Sequence, residues 1–402
     1  MAFFRDKNAR LSTGNGQAIS DFDYLSSDHV YFDAACQSLR PQQVTEVMVD
    51  YYTKFNSCGE RVKYRWGLEV DEKIEATRAA ILKLLKLSPR KYFVSFTQNT
   101  TYGLNLILGQ LRTERFERII TSDIEHNSVF LSTLTCANKN QLERVVLERQ
   151  GDGSIDLSQI KGKAIVVLNA VSNIDGQQLT NIKDVVKRVH DQHGLVIIDA
   201  AQAMSHYFDM LAGVEADAIC FSSHKMYGPS LGVIVAKRSL IDDLDINFVG
   251  GGMVDDVTAD GYKLLVTEAE HIHTVFEAGL QSYAEIIGLG AAIKWLEKHH
   301  DAQRTLNLAE QLIDFLRESP HFHVLNQAVT PTIAFYHDKY DSHLLAQALS
   351  DQDIMARSGY FCAHYYLHHQ KDYPSLVRLS LGLHNRQSDV DKFIDVMKGL
   401  TK

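Results

Sequence analysis

The chain has 402 residues, 45% of them hydrophobic and 9% aromatic, which is enough for one large buried core with a smaller domain beside it. A formal net charge of -9 without any basic cluster argues against a nucleic-acid partner, and no apolar run is long enough to span a bilayer, so no membrane association is expected. Five scattered cysteines, Cys36, Cys58, Cys136, Cys220 and Cys362, form no Cys-x-x-Cys pair and suit free thiols in a reducing, cytoplasmic setting.

Residues 1–28 are polar and Gly/Ser-bearing and read as a loosely packed N-terminal arm, in which Gly14-Asn-Gly16 is not a dinucleotide loop. Tyr31-Phe-Asp-Ala-Ala35 reads as a short strand or turn, and Pro41 opens an amphipathic helix to about Phe55. Residues 58–66 are irregular and basic. A long helix is predicted over 70–87, with Ile74, Ile81, Leu84 and Leu85 on one face and acidic residues in its first turn. A buried strand over 92–96 leads through Thr97-Gln-Asn-Thr-Thr101 into a helix carrying Leu104, Leu106, Ile107 and Leu111. The strand 118–121 runs into Glu125-His126-Asn127. Further strands are predicted over 144–147, 164–168 and 195–198, with a helix over 182–193. Strands alternating with helices imply a mostly parallel sheet whose ligands bind beyond the carboxyl ends of the strands. After Gly250-Gly-Gly252 and a helix through Trp295, the pattern from Asp301 gives two helices, a short strand region at 331–335, a loop and a last helix over 389–400. The order predicts an α/β protein with a large domain over 29–290 and a smaller α+β domain over 291–402.

The candidate chemistry collects at strand ends. An apolar run, Ala218-Ile-Cys-Phe221, delivers Ser222-Ser-His-Lys225 to a Gly-Pro turn, and a second run, Gly232-Val-Ile-Val-Ala236, leaves it. A partly desolvated amine there loses its proton easily enough to form a Schiff base, and Ser222 and His224 beside Lys225 can hold a phosphate. Taken alone, a lysine at a turn is ordinarily solvated surface. Thr100 and Thr101, at a helix N-terminus, offer hydroxyls and amides to an anion, although N-capping is their commoner role. Asn173, Asp199 and Gln202 also stand at strand ends, where a cap or turn role is the ordinary one, as a loop role is for His126. Gly228-Pro-Ser-Leu-Gly232 matches the serine-hydrolase pattern with Ser230 as nucleophile, but that motif needs a helix after it and Val233-Ile-Val-Ala236 is strand-like. The histidines at 271 and 273, 299 and 300, 321 and 323, and 368 and 369 lack a third ligand at metal spacing, so they read as solvated and no metal is expected.

In order and spacing, these segments resemble the class V aminotransferase branch of the fold-type I pyridoxal-phosphate (PLP) enzymes. Within it they are most similar to the short-loop, selenocysteine-lyase-like cysteine desulfurases. The resemblance runs from about Tyr31 to the C-terminus. It rests on Tyr31-Phe-Asp-Ala-Ala35, Asn99-Thr-Thr-Tyr-Gly-Leu-Asn105, Glu125-His126, Val171-Ser-Asn173, Asp199-Ala-Ala-Gln202, Ser222-Ser-His-Lys225, Gly250-Gly-Gly-Met253, Phe276-Glu-Ala-Gly279, Arg357-Ser-Gly-Tyr-Phe-Cys-Ala363 and Arg378-x-Ser-x-x-x-His-Asn385. It implies that Lys225 is the Schiff-base lysine, that Asp199 keeps the pyridine nitrogen protonated, and that His126 stacks on the ring. It further implies that Gln202 and Asn173 contact the ring oxygen, and that Thr100, Thr101, Ser222 and His224 bind the phosphate. Arg378 would grip the substrate carboxylate with Arg357 assisting, and Cys362 would attack the sulfur of L-cysteine, leaving a persulfide and alanine. A homodimer and a sulfur-acceptor protein, such as an iron–sulfur assembly scaffold, are implied as partners. An aminotransferase or a selenocysteine lyase would share most of this constellation. A hydrolase at Ser230 or a non-catalytic scaffold are the readings outside the class. The chain departs from the family at Leu280, where a Thr is usual, and at Asn99 and Ser223, which replace glycines.

Overall fold

The computed structural model describes residues 20–59, 62–267 and 269–400; residues 1–19, with Gly14-Asn-Gly16, lie outside the described residues. In the rest of the expected arm, Phe22 is 1% exposed and packs on Tyr227, Trp295 and His384. The chain enters through a two-residue strand, β1 (Val30–Tyr31), and two helices, α1 (Gln42–Lys54) and α2 (Arg65–Leu84). Alternation follows through β2 (Tyr92–Thr97), α3 (Thr100–Gln110), β3 (Arg118–Ser122), α4 (Asn127–Asn140), β4 (Glu143–Leu147), β5 (Ala164–Asn169), α5 (Ile182–His190), β6 (Leu195–Asp199), a one-turn α6 (Ala203–His206), β7 (Ala218–Ser222) and β8 (Gly232–Lys237). A hairpin of β9 (Val254–Val257) and β10 (Tyr262–Leu264) precedes the long α7 (Tyr283–His299). The remainder is α8 (Ala302–Glu318), β11 (Phe322–Val324), β12 (Thr332–His337), α9 (Ser342–Ser350), β13 (Ile354–Met355), β14 (Arg357–Gly359), β15 (Leu376–Ser380) and α10 (Gln387–Leu400). No described helix is long and apolar enough to cross a membrane.

The main sheet has seven strands in the order β2-β8-β7-β6-β5-β3-β4, with β8 alone antiparallel to its neighbours. Its central strands are continuous apolar runs because helices cover both faces. Ile120, Val166, Leu168, Ile198 and Phe221 point into one core with α1, α2, α5 and α7, while Ile119, Ile165, Val167, Ile197 and Cys220 point into the other with α3 and α4. A second, antiparallel sheet, β11-β12-β15-β14, packs with α8, α9 and α10 around its own core. Strand β1 pairs with β13, and Asp33 bridges Ser380, so the N-terminal segment is laid beside this smaller sheet.

Several elements differ from the expectation. Helix α2 begins at Arg65, so its first turn is basic and aromatic and the acidic residues at 71 and 72 lie further in. Helix α5 ends at His190, short of 193. The helix α4 was not anticipated, because its β-branched and hydroxyl-bearing residues have weak helical preference. The small sheet has four strands where one strand region was read. His273 is buried rather than solvated, with its ring 4.0 Å from Glu277.

That glutamate anchors three segments. Glu277 receives both terminal nitrogens of Arg78 from α2 at 2.8 Å and the Phe96 amide of β2 at 2.7 Å, and the guanidinium lies over the Phe96 ring. Both side chains are almost fully buried. Removing one partner leaves the other charge in the core, so Glu277→Ala is expected to lose about 3–5 kcal/mol of stability. An unchanged chemical-denaturation midpoint would contradict this.

Burial pushes His206 and His384 down to about 4. Their Nε2 atoms donate to Leu381 O at 3.0 Å and Tyr31 O at 2.9 Å, and each Nδ1 is buried without a partner among the described residues. An unfolded histidine titrates near ~6.5. As pH falls from that value to about 4, the unfolded chain takes up protons that these two folded rings refuse, so their contribution to stability is full above the window and lost as pH falls through it. Replacing both by Gln is expected to flatten the pH dependence of the unfolding midpoint there; an unaltered slope would count against it.

Candidate active site

The carboxyl ends of β2, β3, β5, β6 and β7 open into a cleft of about 310 Å³, and all twelve residues given a role by the family resemblance line it. Nine of them stand at or just after the ends of main-sheet strands, as a parallel sheet requires, while Arg357 and Arg378 lie on strands of the smaller sheet and Cys362 on the loop after β14.

On one wall, α3 starts directly after β2. Asn99 caps it, its side-chain oxygen accepting from the Tyr102 amide at 2.9 Å, so this position has a structural use for Asn. The Thr100 amide donates to Ser222 Oγ at 2.9 Å and the two hydroxyls meet at 2.6 Å, joining the helix start to the end of β7. Thr101 follows on the same turn. These hydroxyls and the positive end of α3 make the part of the cleft best suited to a phosphate.

At the floor, Lys225 sits in the turn after β7, and burial, together with the Arg378 charge, lowers its pKa against the pull of Asp199. Part of its residue surface faces the cleft while the amine is enclosed. Asp199, at the end of β6, is raised by burial; its oxygens accept from the Ala201 amide at 2.9 Å and from Ser128 Oγ at 3.3 Å. His126 caps α4, with Nδ1 accepting from the Ser128 amide at 3.0 Å, and burial plus the charges of Lys225 and Arg378 push it down to about 3. Its ring is therefore neutral at ordinary pH. Burial likewise pushes His224 down to about 4. Ser128 links His126 to Asp199 and was missed from the sequence, where the only signal for it is the start of the unanticipated α4. Glu125 turns away from the cleft, accepting from Ser122 Oγ at 2.5 Å and from the Asn169 amide at 2.8 Å, and burial pushes it up to about 7.

The opposite wall comes from the small sheet and the N-terminal segment. Arg378 on β15 is buried, with its terminal nitrogens on Asn173 O at 2.9 Å and Asp33 Oδ1 at 3.2 Å, while its Nε has no partner among the described residues. Arg357 on β14, expected to assist Arg378, lies beside it. Its fork faces Asp33 at 3.1–3.2 Å and the Cys36 Sγ at 2.8 Å, because the register of β14 on β15 sets the two arginines side by side around one carboxylate. Gln202 donates to Ala35 O at 2.7 Å, which fixes the N-terminal segment to the β6 loop. Asp33 and Cys36 were not singled out in advance.

Cys362 is exposed on a loop in which Phe361 and Cys362 both have left-handed backbones, φ 49 and φ 58. Two adjacent L-residues there cost roughly 1–2 kcal/mol each. Hydrogen bonds from Asn173 Nδ2 to Phe361 O and from the Asn127 amide to Cys362 O, both 2.6 Å, hold the loop, and the Arg378 guanidinium lies 4.9 Å from the Phe361 ring centre. His364 faces the Asn127 side-chain amide at 3.3 Å. Ser230 is exposed in the bend before β8 and does not line the cleft, and a strand, not a helix, follows it.

The class V aminotransferase family model matches residues 30–393. A probable cysteine desulfurase of Haemophilus influenzae is 30% identical over 383 residues, covering 92% of this chain and 85% of that protein. Another, of Pyrococcus abyssi, is 28% identical over 393 residues, covering 94% and 96%. The apo structure of a cysteine desulfurase from Thermococcus onnurineus is similar at a TM-score of 0.83, with 28% identity and coverage of 93% and 94% of the two chains. The cysteine desulfurase CsdA of Escherichia coli shares the fold at a TM-score of 0.82 and 24% identity over 95% of this chain and 97% of that one. The α/β architecture expected from the sequence, that of the fold-type I enzymes, is the one observed.

The thiols differ sharply in access. Cys58 and Cys362 are exposed, Cys36 is half-buried, and Cys136 and Cys220 are buried, where burial raises both. Brief alkylation of the folded protein is expected to modify Cys362 and Cys58 first, and Cys136 and Cys220 only after denaturation. Early labelling of Cys220 would overturn this placement of the thiols.

Proposed function

The chain belongs to the class V aminotransferase family, and from that premise and the layout of the cleft we propose that it is a PLP-dependent cysteine desulfurase, converting L-cysteine to L-alanine with the sulfur held on Cys362. The observation that carries the reading is one cleft holding Lys225 and Asp199, each within the electrostatic influence of the other, together with an exposed thiol on a pinned loop.

The residues fit the cofactor. Asp199 is a buried carboxylate whose hydrogen bonds come from neutral donors, an arrangement completed by a protonated ring nitrogen. Thr100, Thr101, Ser222 and His224 would hold the phosphate, Gln202 and Asn173 would flank the ring oxygen, and His126 would offer a neutral ring face. When bound, PLP supplies the electron sink that stabilises the carbanion left when the substrate Cα proton is removed.

Lys225 would hold the cofactor and then move that proton, a task suited to an amine whose charged form is disfavoured by burial. Arg378, with its Nε unpartnered, would take the substrate carboxylate. Asp33 holds Arg357 and Arg378 in place, so Arg357 acts on the substrate through this shared carboxylate. The Cys362 thiolate attacks the substrate sulfur; an S–S bond forms, the Cβ–S bond breaks, and the electron pair and a proton go to the alanine fragment. The proposal includes a homodimer: Phe248, Val249 and Leu280 leave apolar side chains exposed on segments joined by the Gly279 amide to Gly251 O at 2.7 Å. It also includes a cytoplasmic setting, a sulfur-acceptor protein such as an iron–sulfur assembly scaffold, and the division into 29–290 and 291–402.

The test is to incubate PLP-loaded protein with cysteine and measure alanine and protein-bound persulfide. Cys362→Ala is expected to keep the visible absorbance of the bound cofactor and to lose cysteine turnover by at least roughly 100-fold, whereas Lys225→Ala should lose the covalent cofactor signal. Full turnover in Cys362→Ala would remove the thiol from the mechanism. Amino transfer to a keto acid without sulfur release would make the enzyme an aminotransferase.

A further inference from the structure

A second thiol, Cys36, lines the same cleft as Cys362 and has no part in the chemistry above. Its position is fixed by backbone contacts: its amide donates to Asp33 O at 3.1 Å, and the preceding Ala35 amide donates to Ser380 Oγ at 2.9 Å. Arg357 reaches its Sγ at 2.8 Å while the rest of the guanidinium is held by Asp33. A guanidinium nitrogen thus donates to this sulfur and holds its orientation.

Two further observations make this more than a cysteine in a wall. The same wall carries Arg378 Nε and Asn173 Oδ1, both buried and unpartnered among the described residues, so this end of the cleft is furnished for a small ligand. Both sulfurs also lie within electrostatic reach of the same two cations, Arg357 and Lys225. Cys362 is the exposed member of the pair, on a loop held by a few hydrogen bonds, and Cys36 is the half-buried one, fixed by its backbone contacts.

We propose that Cys36 is a second sulfur carrier of this chain, taking the outer sulfur from the Cys362 persulfide and holding it beside Arg357. This rests on the desulfurase reading. The Cys36 thiolate attacks the outer sulfur; a bond from Cys36 Sγ to that sulfur forms, the bond from Cys362 Sγ breaks, and the electron pair leaves on Cys362. Cys362 then takes up a proton equivalent to the one Cys36 released. One thiol and one persulfide stand on each side of the step, so neither oxidant nor reductant is consumed. Cys362 is returned as a free thiol and can turn over a second cysteine before any acceptor arrives.

The experiment uses PLP-loaded protein, cysteine and no acceptor thiol, with alanine counted in the first burst and persulfides trapped by alkylation and located by peptide mass spectrometry. The wild type is expected to release about two alanines per chain in the burst and to carry the extra sulfur on both the Cys36 and Cys362 peptides. Cys36→Ser should give about one alanine and label on Cys362 alone, and Cys362→Ser should give neither label. Arg357→Gln, which keeps the Cys36 thiol and removes its charged partner, should lower the share of sulfur on Cys36 relative to Cys362. Wild-type persulfide confined to Cys362, with a burst near one, overturns the proposal while leaving the desulfurase reading intact. Absence of both alanine and persulfide overturns that reading, and this proposal with it. The wild-type measurement decides the matter even where a variant fails to fold.

Discussion

The Asp33 carboxylate sits between two guanidiniums, and the wall of the cleft that faces Lys225 depends on it. Strand pairing sets Arg357 and Arg378 side by side, which without an anion would leave two like charges together, one of them buried. The carboxylate turns that repulsion into a fixed cluster. From it a line of contacts runs through Arg378 to the carbonyl of Asn173, and from the Asn173 side chain to the backbone of Phe361 next to Cys362. The N-terminal segment, a loop of the large sheet and the loop bearing the thiol are thus held by one connected set of polar groups. Arg378 Nε and Asn173 Oδ1 stay without a partner among the described residues, and a half-satisfied buried network costs more than an apolar one.

Desolvation gives the opposite wall its chemistry. Asp199 is raised and Lys225 is lowered by the same burial, so each is pushed toward its neutral form. The fixed neighbours of Asp199 are neutral donors, and the preorganised dipoles around it cost nothing to reorient when a cation arrives. His126 is kept uncharged by the same burial and by the charges of Lys225 and Arg378. Oppositely shifted titrating groups in one cleft mark it as a candidate functional site.

The parts of this arrangement that could be read from the sequence are those that a single strand end carries. Apolar runs followed at once by polar residues mark Thr100, Asn173, Asp199 and Ser222, because a buried parallel strand can release polar side chains only where it ends. What could not be read depends on contacts distant in the chain. Asp33 and Arg357 are 324 residues apart, and no local pattern links them. Strand β15 escaped notice for a related reason: Arg378 interrupts its apolar run, and only the cleft explains a buried arginine there. Ser128 was hidden with α4, whose residues favour no helix by themselves and which is held by the core beneath it.

In the proposed reaction, a thiol that attacks a bound sulfur and then gives sulfur away has to be both aimed and reachable. The backbone is left-handed at buried Phe361 and at exposed Cys362, while Ala363 and Leu367 just beyond are fully buried and hold the loop's far side. The near side is held by Asn173 and by the amide of Asn127, the residue that follows His126. Both anchors belong to segments that also line the floor of the cleft. The aim of the thiol is therefore set by the same loops that shape the pocket around Lys225, and its exposure is set by the strained turn that no regular strand or helix could supply.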